Sequence, residues 1–600
     1  MSSKTDPENW LDEEIEKAKK ELGTTPFIPM KDNGEHYELN DLFDDQKYIA
    51  FRVLETIKNW LTCKNFDDFK PLRCTINGQG GTGKSVLLNT LVSVIRRFSQ
   101  SNNVVFAAAP TGTAAFNVNG QTIHSLKGQG CDEDDLNISL AKGRDLKKDF
   151  LGTLMLIIDE RSMISSKLLS RTEQIISSVI FNGRSKKKVS WGGIPVVIIA
   201  GDDFQLGSFT QGAHDMFGEH AKAPKTKENV HGMRLFEELA ENVFKLPTIR
   251  RIDKSRQDDM DLMGRIRLGD RVTDSDVKKL QSLHLKNIEA LHGKKTKEDI
   301  ERNAIFLFFT NEKRIRHNLT MLSGMNSKEN PTAICKPASS SSKFGKGVKR
   351  HFRGNKSGKA SLLCRGCKVC INGKNFFPLW GLHNGGCGIV KEIVFAKGES
   401  PNKGHHPKYV VVYFPLYRGP PWDIDNPKCV PIPPVTIRCN RKCCERAFVP
   451  LDLSFARTIH TFQGLQAGPT PPGKPKQHMY ECVICHPDNK SVEATHTGLL
   501  YTAISRGTTL GDPNGLNSAV YFTGDNLTRE RIQELTKCKT SNNIYVKVKK
   551  RRLWVRHLEQ HTIKNKKICN THQRVLDYFE KNSTTGDKIN ERAFNYTMRR

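Results

Sequence analysis

The chain has 600 residues, with 94 Lys and Arg against 64 Asp and Glu, for a formal charge of +30. That length demands several buried cores and excludes a single domain. A cationic surplus beyond what solubility requires points to polyanionic partners, nucleic acid first and acidic membrane surfaces second.

The first 38 residues begin "MSSKTDPENWLDEEIEKAKKELG". They are rich in acids and lack an apolar core, so they read as a leader that is neither a secretory signal nor an Arg-rich transit peptide. The longest apolar runs, "LMLII" and "IPVVIIA", are too short to cross a bilayer. The chain is therefore expected to be soluble and intracellular, and its 16 cysteines to be reduced thiols, available for metal or simply buried.

The first chemical signal is "INGQGGTGKSVLLNTL". Gly78, Gly83, Lys84 and Ser85 fit the G-x-x-x-x-G-K-[ST] pattern, with Gly80, Gly81, Thr82 and Val86 completing the cradle. Glycines there let backbone amides wrap phosphates while Lys84 neutralises them and Ser85 ligates magnesium. The flanks agree: "CTIN" predicts a strand and "SVLLNTLVSVIRRF" a helix. Next, "LMLIIDERSM" places Asp159 and Glu160 at the end of an apolar strand. The two carboxylates divide the labour, Asp159 holding the metal and Glu160 orienting and deprotonating water. A third strand, "IPVVIIAGDDFQL", ends in a polar turn with Asp202 and Gln205, and Gln205 is placed to sense the third phosphate.

From Pro331 to Lys391 there are twelve Lys and Arg and no Asp or Glu. Residues 338–359 read as a flexible cationic loop that grips phosphates or simply stays solvated. Cys364, Cys367 and Cys370 invite zinc, but the alternation in "CKVCI" suits a strand in which thiols act as small apolar core residues. Cys439, Cys443 and Cys444, with Cys482, Cys485 and His486, keep zinc open. Residues 541–600 hold fifteen Lys or Arg against five acids. That segment reads equally as a localisation signal, a nucleic-acid grip or a solvated helix.

In order, "FDDQKYIAF", "GQGGTGKS", "AAPTGTAAFNVNGQTIHSL", "IIDERSM", "AGDDFQL", "LPTIRRIDK", "RTIHTFQGLQ" and "YTAISRG" resemble superfamily-one helicases of the petite-integration-frequency (PIF) and RecD-like branch, from about Leu39 to about Thr523. The resemblance implies an α/β fold of two RecA-like P-loop NTPase domains with a small β-barrel insert in the second. The expected division is a leader (1–38), a first motor domain (39–230), a second motor domain in two parts (231–330 and 451–525), the basic loop and barrel (331–450), and a basic tail (526–600).

By the same resemblance Gln46 reads the adenine edge, so the nucleotide is ATP with Mg2+. Pro110, Thr111, Gly112, Thr122, Ile123, His124 and Ser125 contact the strand, with His460 and Gln463 beside Gly464 in the coupling motif. Arg506 reaches the γ-phosphate, and a second finger is Arg250 or Arg251, with Arg251 favoured. Arg161 stands where the family commonly has a small or apolar residue, and "QLGSF" lacks the usual prolines; neither removes a group the mechanism needs. The implied activity is ATP-driven 5′-to-3′ movement on single-stranded DNA and unwinding of forks, by a monomer with no membrane, more in the nucleus than the cytoplasm, and with mitochondria left open. The alternatives are an ATP-gated clamp, a motor subunit of a nuclease complex, or an RNA-tracking helicase.

Overall fold

The computed structural model describes residues 7–31, 33–127, 143–144, 146–147, 150–181, 189–207, 226–250, 256–341, 360–400, 406–438, 444–470, 478–487, 496, 498–524, 527–537 and 553–599. Arg251, Cys439, Cys443 and most of the cationic loop lie outside the described residues.

Six parallel strands make the first sheet: β1 (Leu72–Asn77), β2 (Val105–Ala109), β3 (Gln121–Thr122), β4 (Met155–Ile158), β5 (Val196–Gly201) and β6 (Val243–Lys245), in the order β3-β2-β4-β5-β1-β6. Residues of β1, β2, β4 and β5 are buried throughout. Burial on both faces is why β2, β4 and β5 read as unbroken apolar runs, whereas β1 buries Arg73, Thr75 and Asn77 among its apolar residues. Their register puts the ends of β1, β4 and β5 side by side, Ile76 against Ala200 and Ile158 against Ile199. The loops that follow these three strands therefore meet at one edge of the sheet.

A second parallel sheet has four strands in the order 456–458, 304–308, 482–486 and 520–522. Between its strands the chain makes an antiparallel insert. Five strands (Cys429–Ile432, Tyr409–Tyr413, Cys387–Val394, Lys368–Ile371 and Leu451–Leu453) form one sheet, beside a three-stranded and a two-stranded one. The helix Asn311–Met325 pins the exit of the insert: the Asn318 amide donates to the Leu453 and Ala456 carbonyls and accepts from the Ala456 N–H.

Three expected boundaries change. The unit built on the first sheet continues past residue 230, because the helix Lys227–Ala240 buries Leu235, Phe236 and Leu239 against β4 and β5, and β6 pairs with β1. The insert runs to Leu453, whose strand pairs with Lys368–Ile371. Neither end of the chain is an appendage. The helix Pro7–Thr24 buries Trp10, Leu11 and Ile15 in the core of the insert, and Lys408 reaches Glu8 at 2.7 Å. The segment after it is tied to the first domain: the Phe27 N–H donates to Asn102, and Arg96 donates to the Phe27 carbonyl.

The C-terminal residues fold onto the first domain. Trp554 packs 5.0 Å from Phe236, and the Ile563 N–H donates to the Val243 carbonyl at the β6 edge. Helices Asn570–Lys581 and Gly586–Arg599 place Leu576, Phe579, Ile589, Ala593 and Tyr596 in the same core as Ile76 and Trp60. The charge surplus of this segment hides an apolar stripe at helical spacing, which pays for docking as burial.

Cys364, Cys367 and Cys370 are buried within the insert, Cys364 and Cys367 in its apolar cluster. Cys482 and Cys485 face opposite sides of one strand and belong to different cores, a consequence of the two-residue period of a strand. No group of three or more His, Cys, Asp or Glu that could hold a metal occurs among the described residues. No described helix is long and apolar enough to cross a membrane.

Candidate functional site

The loop between β1 and the helix Lys84–Ser99 needs positive φ at two glycines, 87° at Gly81 and 83° at Gly83. The conformation calls for glycine at 83, and a Cβ there would lie 2.5 Å from Gln46 Nε2 and displace that amide. Gln46 is buried; its Nε2 donates to the Gly83 carbonyl at 3.1 Å and its Oε1 accepts from the Phe43 N–H at 3.0 Å. The glutamine thus caps its own helix and braces the cradle. Lys84 Nζ folds over the loop and donates to the Gly78 and Gln79 carbonyls. Ser85 and Val86 are exposed at the start of the helix.

Arg250 closes the other side of the cradle. Its backbone N–H donates to Gly81, its side chain donates to the Thr82 carbonyl and to Asp45, and its guanidinium lies 4.3 Å from the Phe43 ring centroid. Of the two finger candidates, Arg250 is the one the described residues place beside the phosphate loop.

At the end of β4, Glu160 adopts left-handed backbone angles, φ 54° and ψ 50°. For a residue with a Cβ that conformation costs on the order of 1–2 kcal/mol and marks a site held by its surroundings. Asp159 next to it is buried, and burial together with repulsion from Glu160 pushes its carboxyl up to about 7, partly countered by Lys84. Two crowded carboxylates are what a divalent cation relieves, and the Ser85 hydroxyl and Asp159 carboxylate are the hard oxygen donors Mg2+ prefers.

The loop after β5 makes the seam between the units built on the two parallel sheets. Asp202 accepts from Arg267 Nη2 at 2.8 Å and from the Tyr501 hydroxyl at 2.6 Å, and the Tyr501 hydroxyl also meets the Gly80 backbone. Arg267 lies 4.3 Å from the Phe204 ring centroid. Burial would raise the Asp202 carboxyl, but the guanidinium and hydroxyl outweigh it and hold the group at about 2. Phe204 and Leu206 enter the core of the second unit, and the Leu206 N–H donates to Thr502 Oγ1 at 3.0 Å. The next acid, Asp203, turns back and pairs with Arg161. Sequence reading had left Arg161, Asp203, Arg267 and Tyr501 without roles. The signal available was "GDD" at the end of a buried strand, since two adjacent buried acids must each find a cation.

Gln463 is buried, 1% exposed. Its Nε2 donates to Ser162 Oγ at 3.3 Å and approaches Gln205 Oε1 at 3.5 Å. Gly464 accepts from Asn117 at 2.7 Å. His460 is held neutral, its pKa pushed down to about 3 by burial and by His496, so it offers no positive charge to a phosphate. Arg506 is buried beside its own helix, donating to the Thr502 carbonyl and Ser505 Oγ.

Thr111 caps the helix Gly112–Asn117, accepting from the Ala114 N–H at 3.2 Å, and Pro110 beside it is half-buried. Gly112 abuts the insert, where an added Cβ would lie 2.8 Å from the Asn384 carbonyl. The Thr122 carbonyl accepts from the Ser125 hydroxyl at 2.6 Å, and His124 is exposed.

Residues 52–273 match the family model of PIF1-like helicases. That match takes in the phosphate loop, the acidic strand end and the Gln205 turn. The ATP-dependent DNA helicase PIF1 of Emericella nidulans is 34% identical to the chain over 139 residues, which are 22% of this chain and 18% of that protein. The ATP-dependent DNA helicase RRM3 of Saccharomyces cerevisiae is 35% identical over 133 residues, 22% of this chain and 17% of that protein. The alignments thus span under a fifth of these relatives' own length. In three dimensions the likeness extends beyond that stretch. The crystal structure of Pif1 helicase from Candida albicans covers 87% of this chain and 99% of that one, with a TM-score of 0.58 at 20% identity. Pif1 helicase from Bacteroides in complex with ADP-AlF3 and ssDNA covers 80% and 92%, with a TM-score of 0.51 at 20% identity. At that identity the likeness is one of fold.

Proposed function

We propose that this chain is an ATP-dependent DNA helicase that moves along single-stranded DNA, 5′ to 3′, and separates duplex DNA ahead of it. One observation carries the reading: the dipeptide Gln463-Gly464 touches both ends of the energy path. Gln463 bonds the loop after the acidic strand and the loop carrying Gln205, while Gly464 takes the Asn117 amide of the helix that Thr111 caps. A change at the phosphates therefore has a short mechanical route to the segment expected to hold the strand.

In this reading Gln46 and the loop 78–86 bind ATP, and Lys84 leaves the Gly78 and Gln79 carbonyls for the phosphates. Ser85 and Asp159 hold Mg2+, which when bound neutralises charge on the transferred phosphoryl group. Glu160 takes the proton of the attacking water, and Gln205 reads the third phosphate. Arg506 and an arginine of the pair 250/251 stabilise transition-state charge when the units close, which ties hydrolysis to domain movement. The antiparallel insert is read as the small β-barrel of this branch, forks and single strands as the DNA partners, and a monomer addressed to the nucleus as the working form. The complex of the Bacteroides relative with ADP-AlF3 and ssDNA supports both ligands.

The test is ATP hydrolysis with and without single-stranded DNA, for the parent and Lys84→Ala. DNA-stimulated turnover that falls to background in the variant, followed by unwinding of forks with a 5′ tail, is the expected result. Strand binding without stimulation would instead favour an ATP-gated clamp.

A further inference from the structure

The proposed motor chemistry uses neither Arg161 nor Asp203, yet both are wholly buried and face one another. The contact is two-pronged: Nε donates to Oδ1 at 2.9 Å and Nη2 donates to Oδ2. The guanidinium also lies 5.7 Å from the Phe236 ring centroid. Stability alone seldom calls for such a pair, because apolar side chains of similar volume serve a core as well or better. Its position is what distinguishes it.

Arg161 directly follows Glu160, whose backbone sits in the left-handed region. The Asp159 N–H is fixed to the Ala108 carbonyl at 2.9 Å, and the Met163 and Ile164 N–H groups close a tight turn on the Glu160 and Arg161 carbonyls. The turn is flush with β5: a Cβ on Gly201 would lie 2.8 Å from the Arg161 backbone nitrogen. These contacts stop the turn from sliding along or into the sheet. Rocking about the end of β4 remains, and the long lever of Arg161, clamped by Asp203, removes it. Asp203 in turn stands two residues before Gln205, in a loop tightened by Phe204 N–H to Asp202 Oδ1 and Gln205 N–H to the Asp202 carbonyl.

We propose that the Arg161–Asp203 pair is a positioning device that locks the turn carrying Glu160 to the loop carrying Gln205, so that the general base and the phosphate-sensing glutamine move as one piece. The proposal rests on the hydrolytic reading of those two residues. A planar fork gripped at two points resists rotation in a way a single contact does not. The pair thereby fixes the angle of the base toward the attacking water rather than the affinity for nucleotide.

The test uses the full chain with saturating single-stranded DNA. Arg161→Ala and Asp203→Ala are each expected to lower kcat for ATP at least about tenfold with KM for ATP unchanged, since misplaced catalytic groups lose turnover before binding. The pair variant Arg161→Met with Asp203→Leu, which refills the space without a stranded charge but also without the fork, is expected to regain the parent's stability while kcat stays at least about tenfold low. Loss in the single variants that merely tracks their folded fraction, a rise in KM with kcat kept, or a pair variant with parent-like kcat overturns the proposal. Should an alanine variant not fold, Arg161→Lys carries the same test: it keeps the charge and loses the fork, so kcat falls with KM kept, and a parent-like kcat overturns the idea. Glu160→Gln measured alongside separates the two claims. If that variant hydrolyses ATP normally the motor reading itself falls, whereas a dead Glu160→Gln with parent-like alanine variants sinks only the pair.

Discussion

Asp202 and Asp203 are neighbours, both wholly buried, and each faces an arginine. Asp203 looks back to Arg161 in its own unit, next to the acidic strand, whereas Asp202 looks across the seam to Arg267 and Tyr501. The first contact lies within one unit and survives any separation of the two; the second must break if they part. One loop therefore holds a permanent fastening and a releasable one side by side.

The comparison can be broken by removing each carboxylate in turn. Asp203→Ala strands a buried guanidinium and is expected to lower stability by about 3–5 kcal/mol in urea unfolding, the largest effect. Asp202→Asn should lower it by about 2 kcal/mol, with a pH signature of its own. The Asp202 carboxyl is held below its ordinary value of 3.8, at about 2. Its stabilising contribution is therefore complete above the unfolded pKa and fades as pH falls through the folded one. The difference between parent and Asp202→Asn should be flat from neutral to about pH 4 and shrink toward about pH 2; a difference growing in acid would contradict the ion-pair account. Thr502→Val, which removes only the hydroxyl that accepts from the Leu206 N–H, should shift stability by about 1 kcal/mol and sharpen how much of the seam depends on that single bond.

Much of the site was legible because its chemistry is local. Asp159-Glu160 and the Gln205 turn each follow a dense apolar strand, the phosphate loop follows a short mixed one, and parallel pairing brings such strand ends together. What escaped was long-range partnership. Arg161 looked like a harmless departure because its partner lies 42 residues on. Arg267 looked like any basic residue near the end of a helix. The chain ends were misjudged for a different reason: with fifteen basic residues in the last sixty, composition outweighed the helical spacing of Leu576 and Phe579. Trp10, Leu11 and Ile15 were likewise lost among the acids of the opening helix.

The C-terminal helices carry a consequence for how the protein is made. Tyr596 packs 4.9 Å from Phe66, and Arg592 donates to the Trp60 and Cys63 carbonyls, so the unit that holds the phosphate loop is sealed by side chains more than 500 positions downstream. On the ribosome its sheet emerges early, while the helices that cover Trp60 and Phe66 arrive only after the second unit and the insert have been synthesised. Throughout that interval the nascent first unit presents an uncovered aromatic surface, and the last thirty residues complete it.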